Sequence, residues 1–204
     1  MLIRFLAICQ GVLVFHELDP PLAHRDIKPH NVLISDRDIP VVMDFGSVTN
    51  ARVDISTRHN RSLLHEAAAV NSSMSYRAPE LWDSMTAEDC VVDERTDCWS
   101  LGCLLYAMVF GQGFSPFECS FSVKQSSGRK AKTSRSMLPP IAIPKDCTFL
   151  SIIGKLKFPE NHSRSQSVVD LITWILDTDT NSRPNLPAII DRVKASQNQY
   201  LTNV

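Results

Sequence analysis

The chain opens on a nearly unbroken apolar run from Leu2 to Leu18 that stops at Asp19-Pro20-Pro21. Proline lacks the amide hydrogen that a helix interior uses, so the pattern predicts one helix ending just before that pair. Arg4 near its start imitates a signal peptide, but no small-x-small cleavage site follows. The run is also too short and too interrupted to span a bilayer, which leaves a buried core helix as the expectation. Two short β-type runs come next, Val32–Ile34 and Val41–Met43, joined by the polar turn Ser35-Asp36-Arg37-Asp38. They predict a hairpin. Residues 47–75 are polar apart from one helix-capable patch, Ser62–Ala69.

The strongest helical pattern runs from Asp97 to Phe110, with Trp99, Leu101, Leu104, Leu105, Met108 and Val109 spread around its circumference. A helix that is apolar all round belongs in the centre of a domain. Gly111 is its expected terminator. Residues 118–146 break the pattern with Ser, Pro and the basic residues Lys124, Arg129, Lys130, Lys132 and Arg135. This stretch reads as a flexible insertion loop, since a basic run is more often a solvated face than a binding patch. Two further helices, Ser167–Asp177 and Pro187–Ser196, complete a mainly α fold, with residues 197–204 as a tail.

Composition narrows the class. The 204 residues are 44% hydrophobic and 21% charged, which suits a packed domain and excludes global disorder. Lys and Arg total 21 against 22 Asp and Glu, so a nucleic-acid binder working through a broad basic face is not expected. The six cysteines include no Cys-x-x-Cys pair, which removes support for zinc and thioredoxin-like chemistry and fits a reducing, intracellular compartment.

The chemistry concentrates in one octapeptide, His24-Arg25-Asp26-Ile27-Lys28-Pro29-His30-Asn31, followed after the hairpin by Asp44-Phe45-Gly46. An acid on a loop before a hairpin and a second acid behind it converge on one cleft edge. Either acid alone reads as a turn residue; their ordered pairing reverses that. Further on stand Ala78-Pro79-Glu80, then Asp97-Cys98-Trp99-Ser100-Leu101-Gly102, then Arg183-Pro184.

In this order and approximate spacing the motifs resemble the catalytic loop, metal-binding triplet and large lobe of the eukaryotic protein kinases. The stretches Ser75–Leu81 and Asp93–Met108 are similar to the Numb-associated kinases, in particular their myristoylated and palmitoylated serine/threonine branch. The resemblance implies a kinase-like large lobe over 1–196 with a small β-hairpin at the catalytic cleft. It implies ATP and Mg²⁺ as cofactors and protein Ser/Thr hydroxyls as acceptors. Asp26 would be the catalytic base, and Lys28 would neutralise the transferring phosphoryl group. Asn31 and Asp44 would coordinate Mg²⁺ with hard oxygens. Ser73 would bond the base and lysine, in an activation and substrate loop that also carries Tyr76. His24 and Phe45 would pack in the core. Arg25 would be an internal anchor or a dock for a phosphorylated residue. Asp97 would be a helix N-cap or a brace for the catalytic loop, and Glu80 with Arg183 would form a buried ion pair.

The seven glycines form no Gly-x-Gly-x-x-Gly, and no Val-Ala-Ile-Lys strand is present. The expectation is therefore a missing small lobe, little activity from the chain alone, and an apolar patch exposed where that lobe would sit. A non-catalytic kinase-lobe binding module is the alternative reading. A small-molecule phosphotransferase of kinase-like fold is a third, disfavoured by Ala78-Pro79-Glu80 and Ser73. The chain as written is expected in the cytosol. Association with Golgi or other membranes would come only through a lipidated segment upstream of it.

Overall fold

The computed structural model describes residues 1–82, 91–110, 116–117, 156, 158–159 and 162–202, and the side chains among them up to 197. Helix α1 spans Leu2–His16 and turns Phe5, Ile8, Cys9 and Val12 into the core. It stops short of the two prolines, with the Glu17 amide returning to the Leu13 carbonyl. Among the described residues no helix is long and apolar enough to cross a membrane.

Three two-stranded antiparallel ladders follow, each too small to form a layer. β1 (Leu22–Ala23) pairs with β4 (Thr49–Asn50), in the register Leu22 opposite Asn50. β2 (Val32–Ile34) and β3 (Pro40–Val42) form the expected hairpin, with Val32 opposite Val42. The second strand sits one residue earlier than the Val41–Met43 run suggests, although the Met43 amide still bonds the Asn31 carbonyl. β5 (Val53–Asp54) pairs with β6 (Val91–Val92).

Helix α2 (Arg58–Asn71) is longer than its apolar patch, because Thr57 caps it by accepting the Asn60 amide hydrogen at 3.1 Å. Helix α3 (Arg95–Phe110) lies at the centre of the core, buried on all sides from Thr96 through Leu105. It begins before Asp97: the Asp93 carboxylate takes the Arg95 amide at 2.8 Å, so Asp93 and not Asp97 caps this end. Helix α4 (Gln166–Ile175) packs on α3, and α5 (Leu186–Thr202) packs on α1. Helix α5 runs through the 196 boundary where a tail was expected to start. The expected terminator Gly111 and the 118–146 insertion lie outside the described residues.

The α3–α4 contact depends on the absence of a side chain at Gly102. A Cβ there would sit 2.8 Å from Ile175 Cγ2 and 2.9 Å from Leu176 Cγ, inside any real carbon–carbon contact. Gly102→Ala is expected to lower unfolding stability by about 1–2 kcal/mol, overpacking outweighing the gain in helix propensity. Urea denaturation with an unchanged slope and a lower midpoint is the expected reading.

Candidate active site

The catalytic-type loop is held from beneath by one carboxylate. Asp97 is fully buried, and its Oδ2 accepts the His24 amide at 2.7 Å while its Oδ1 accepts the Arg25 amide at 2.9 Å. The His16 ring adds a third bond, Nε2 to Oδ2 at 3.0 Å. Burial alone would push this carboxyl up. The His16 ring and the two backbone donors outweigh it and hold the group below the ordinary carboxylate range. Asp97 is therefore a brace for the loop rather than a cap.

The brace matters because Arg25 has φ 67°, a left-handed conformation that a long side chain rarely takes without external support. The Arg25 side chain is buried and donates to the Ala51 carbonyl at 2.8 Å, the internal-anchor arrangement. Burial pulls its guanidinium down, and the charge of Asp97 opposes that. His24 is buried as expected. Its Nδ1 accepts the Asp26 amide and its Nε2 donates to the Met43 carbonyl at 3.0 Å, which fixes the ring's tautomer and ties the loop to the residue before Asp44.

Above this base lies the cluster itself. Asp26 Oδ2 accepts from Lys28 Nζ at 2.6 Å and from Asn31 Nδ2 at 3.1 Å; Asp26 Oδ1 accepts the Ser73 amide at 2.9 Å. Lys28 Nζ also donates to the Ser73 hydroxyl at 2.9 Å. Asn31 donates from the same amide nitrogen to the Asp26 carbonyl at 2.8 Å, so its amide oxygen is turned away from Asp26. Asp26, Lys28 and Asn31 come from one short loop, and Ser73, 45 residues beyond Lys28, joins them in one hydrogen-bonded group.

Asp44 stands at the end of the hairpin with φ 62° and its carboxylate exposed, its Oδ1 touched by the Gly46 amide at 3.4 Å. An Asp tolerates this conformation better than most residues. A hard carboxylate on Asp44 and the outward amide oxygen of Asn31 are the donor types that Mg²⁺ takes, so the residues present fit that ion.

One expected position is corrected. Phe45 is not a core residue: its ring is 55% exposed, with the Phe15 and His24 rings at centroid distances of 5.4 and 5.9 Å. Tyr76, in the loop that carries Ser73, is 6% exposed in the core cluster, with its carbonyl accepting the Ser100 hydroxyl at 2.8 Å. Glu80 and Arg183 form a bidentate buried pair, Nη1–Oε1 at 2.6 Å and Nη2–Oε2 at 2.9 Å.

With this geometry in view, comparison with known proteins adds the decisive observation: the family model described as "Protein kinase domain" matches residues 4–194. The chain belongs to the protein kinase family. It is similar to Serine/threonine-protein kinase 16 of Homo sapiens, 33% identical over 192 residues that cover 94% of this chain and 54% of the relative. It is also similar to Actin-regulating kinase 1 of Saccharomyces cerevisiae, 32% identical over 94% of this chain and 25% of that protein. The chain thus spans about half the length of the human kinase it matches.

Three residues of this kinase domain serve the site without a motif to announce them. Ser47, just behind Asp44-Phe45-Gly46, donates its hydroxyl to the His24 carbonyl at 2.6 Å. Arg77 grips Ser72 through both its hydroxyl (2.7 Å) and its carbonyl (2.8 Å), which seats the neighbouring Ser73. Its guanidinium lies 4.7 Å over the Trp82 ring. The third is His16. Ser47 could have been suspected from its place after the triplet; the other two carry no sequence signal.

Proposed function

We propose that the chain is the large, mainly helical lobe of a serine/threonine protein kinase, which transfers the γ-phosphoryl group of ATP to Ser/Thr hydroxyls of proteins. The observation that carries this reading is the single cluster of Asp26, Lys28, Asn31 and Ser73. Asp26 accepts the proton of the incoming hydroxyl as its oxygen attacks the γ-phosphorus and the bond to the bridging oxygen of the leaving ADP breaks. Lys28, fixed between Asp26 and Ser73, presents a point charge to the oxygens of the moving phosphoryl group. Asn31 and Asp44 would hold Mg²⁺, which neutralises charge on the phosphates when bound. The Ser73 hydroxyl on Lys28 supports Ser/Thr over Tyr as the acceptor class.

The chain alone is expected to have little activity, so the test is transfer of labelled γ-phosphate to a Ser/Thr protein substrate, with Mg²⁺ and ATP, by the purified chain and by a version that adds a small lobe. Asp44→Ala is expected to reduce that transfer by about 10²–10³-fold, a loss of the order seen for one removed charge-stabilising group. Transfer that persists unchanged in Asp44→Ala would refute the assignment. A second reading, a kinase-lobe module that binds a partner without turnover, is favoured by the half-exposed apolar side chains Leu33, Val41 and Phe45 on and beside the hairpin. Asp44-dependent transfer by this chain rules that reading out.

A further inference from the structure

We infer that Ser47 is a positioning residue for Asp44, its hydroxyl closing a clasp around Asp44-Phe45-Gly46. What Asp44 is used for rests on the kinase reading; how it is held does not. The triplet has little of its own to hold it. All three residues are exposed, and the contact inside the triplet is the long one from the Gly46 amide to Asp44 Oδ1 at 3.4 Å. Yet Asp44 keeps a left-handed backbone, φ 62° and ψ 75°. Such a conformation persists only where the surroundings over-determine it. The constraint comes from the residues on either side. Before the triplet, the Met43 carbonyl meets His24 Nε2 at 3.0 Å; behind it, the Ser47 hydroxyl donates to the His24 carbonyl at 2.6 Å. Both ends of the segment are thus tied to one residue, and that residue is fully buried.

The neighbouring ladder does not replace this bond. β1 and β4 end their pairing at Ala23 opposite Thr49, so the His24 carbonyl lies beyond their register. The Ser47 hydroxyl is its partner, at the short end of ordinary O–H···O distances. A buried carbonyl stripped of its donor is costly, so the bond fixes the hydroxyl as firmly as it satisfies the carbonyl. Alanine at 47 removes the donor and leaves the far end of the triplet to the turn bond from the Val48 amide to the Phe45 carbonyl, 3.2 Å, and to the ladder. The clasp is then closed on the Met43 side alone. Asp44 can relax from its left-handed backbone, and its carboxylate turns with it. Ser47 therefore refers Asp44 to the same buried residue whose neighbours carry the catalytic-type loop, 23 residues earlier in the chain.

The primary readout needs no catalysis. It is hydrogen exchange of the Val48 amide, which closes the turn over the triplet, in the full 204-residue chain, resolved by NMR. Ser47→Ala is expected to speed that exchange by about tenfold relative to the α4 amides of Leu171 and Ile172 in the same sample. Ser47→Thr keeps the hydroxyl and is expected to stay within about threefold of wild type. Unchanged exchange in Ser47→Ala overturns the inference, and so does an increase shared equally by α4. So does a folded Ser47→Thr that exchanges as fast as the Ala variant. Should Ser47→Ala not fold, the wild-type serine decides through its Hα–Hβ couplings. A single χ1 rotamer supports the clasp, and averaging over rotamers overturns it. Where the chain, alone or with an added small lobe, transfers phosphate, Ser47→Ala raises the Mg²⁺ concentration for half-maximal rate by about threefold to tenfold, and Thr reverses the change. A lowered kcat with an unchanged Mg²⁺ requirement overturns the role toward Asp44. No transfer even with a small lobe added refutes the kinase reading and leaves the amide test standing.

Discussion

Asp26→Asn is expected to reduce phosphoryl transfer by about 10²–10⁴-fold, the usual contribution of a positioned general base. The substitution preserves volume, so the loss is chemical. A carboxamide cannot accept the hydroxyl proton in the transition state. It also places an NH₂ among donors, because Lys28, Asn31 and the Ser73 amide all point hydrogens at the two Asp26 oxygens. Whichever way the amide turns, at least one of those donors faces another donor. Lys28 loses an ion pair as well, and with it half of what fixes its ammonium group. Steady-state kinetics with a protein substrate, paired with thermal denaturation to show an intact fold, makes the measurement. Wild-type kcat in a folded Asn variant would exclude Asp26 as the base.

Arg183→Leu is expected to destabilise the fold by about 3–5 kcal/mol, the cost of leaving one member of a buried ion pair uncompensated. Arg183 is 1% exposed and donates not only to both Glu80 oxygens but also to the carbonyls of Arg95 and Asp177. Its guanidinium also lies 5.1 Å over the Trp99 ring, at the heart of α3. Burial works against its charge, and Glu80 more than compensates, holding the guanidinium above its ordinary value. The single variant strands a carboxylate in the core. The double variant Glu80→Leu/Arg183→Leu removes both charges and is expected to recover a large part of the loss. Urea denaturation of the two singles and the double closes the cycle. Strictly additive losses would show that the two side chains do not act as a pair.

Periodicity and motif order made the centre of this molecule readable. The apolar circumference of 97–110 placed α3 in the core, and the order of Asp26, Asn31 and Asp44 placed the site beside a hairpin. What escaped depends on partners distant in the chain. Asp97 looks like a cap because an acid precedes an apolar run, yet the backbone that claims it lies 73 residues earlier, and Asp93 is left to cap the helix. His16 closes an apolar helix in sequence, and only the folded chain brings Asp97 to it. Phe45 is expected inside by resemblance, but its ring, met by those of Phe15 and His24, stays 55% exposed. The ladders β1–β4 and β5–β6 are two residues long, too short for alternation to register.

Those two ladders shape what the segment behind Asp44 is free to become. Residues 49–54 are fastened on one side to β1, which leads into the catalytic-type loop, and on the other to β6, which leads into α3. Beyond α2 the chain is fastened again, Ser72 by Arg77 and Ser73 by Asp26 and Lys28. Between these anchors α2 adds a footing of its own, with Leu64 and Ala68 turned into the core. The outward face of α2, where Leu63 and Val70 are exposed, can therefore be rewritten while Ser73 stays where the chemistry needs it.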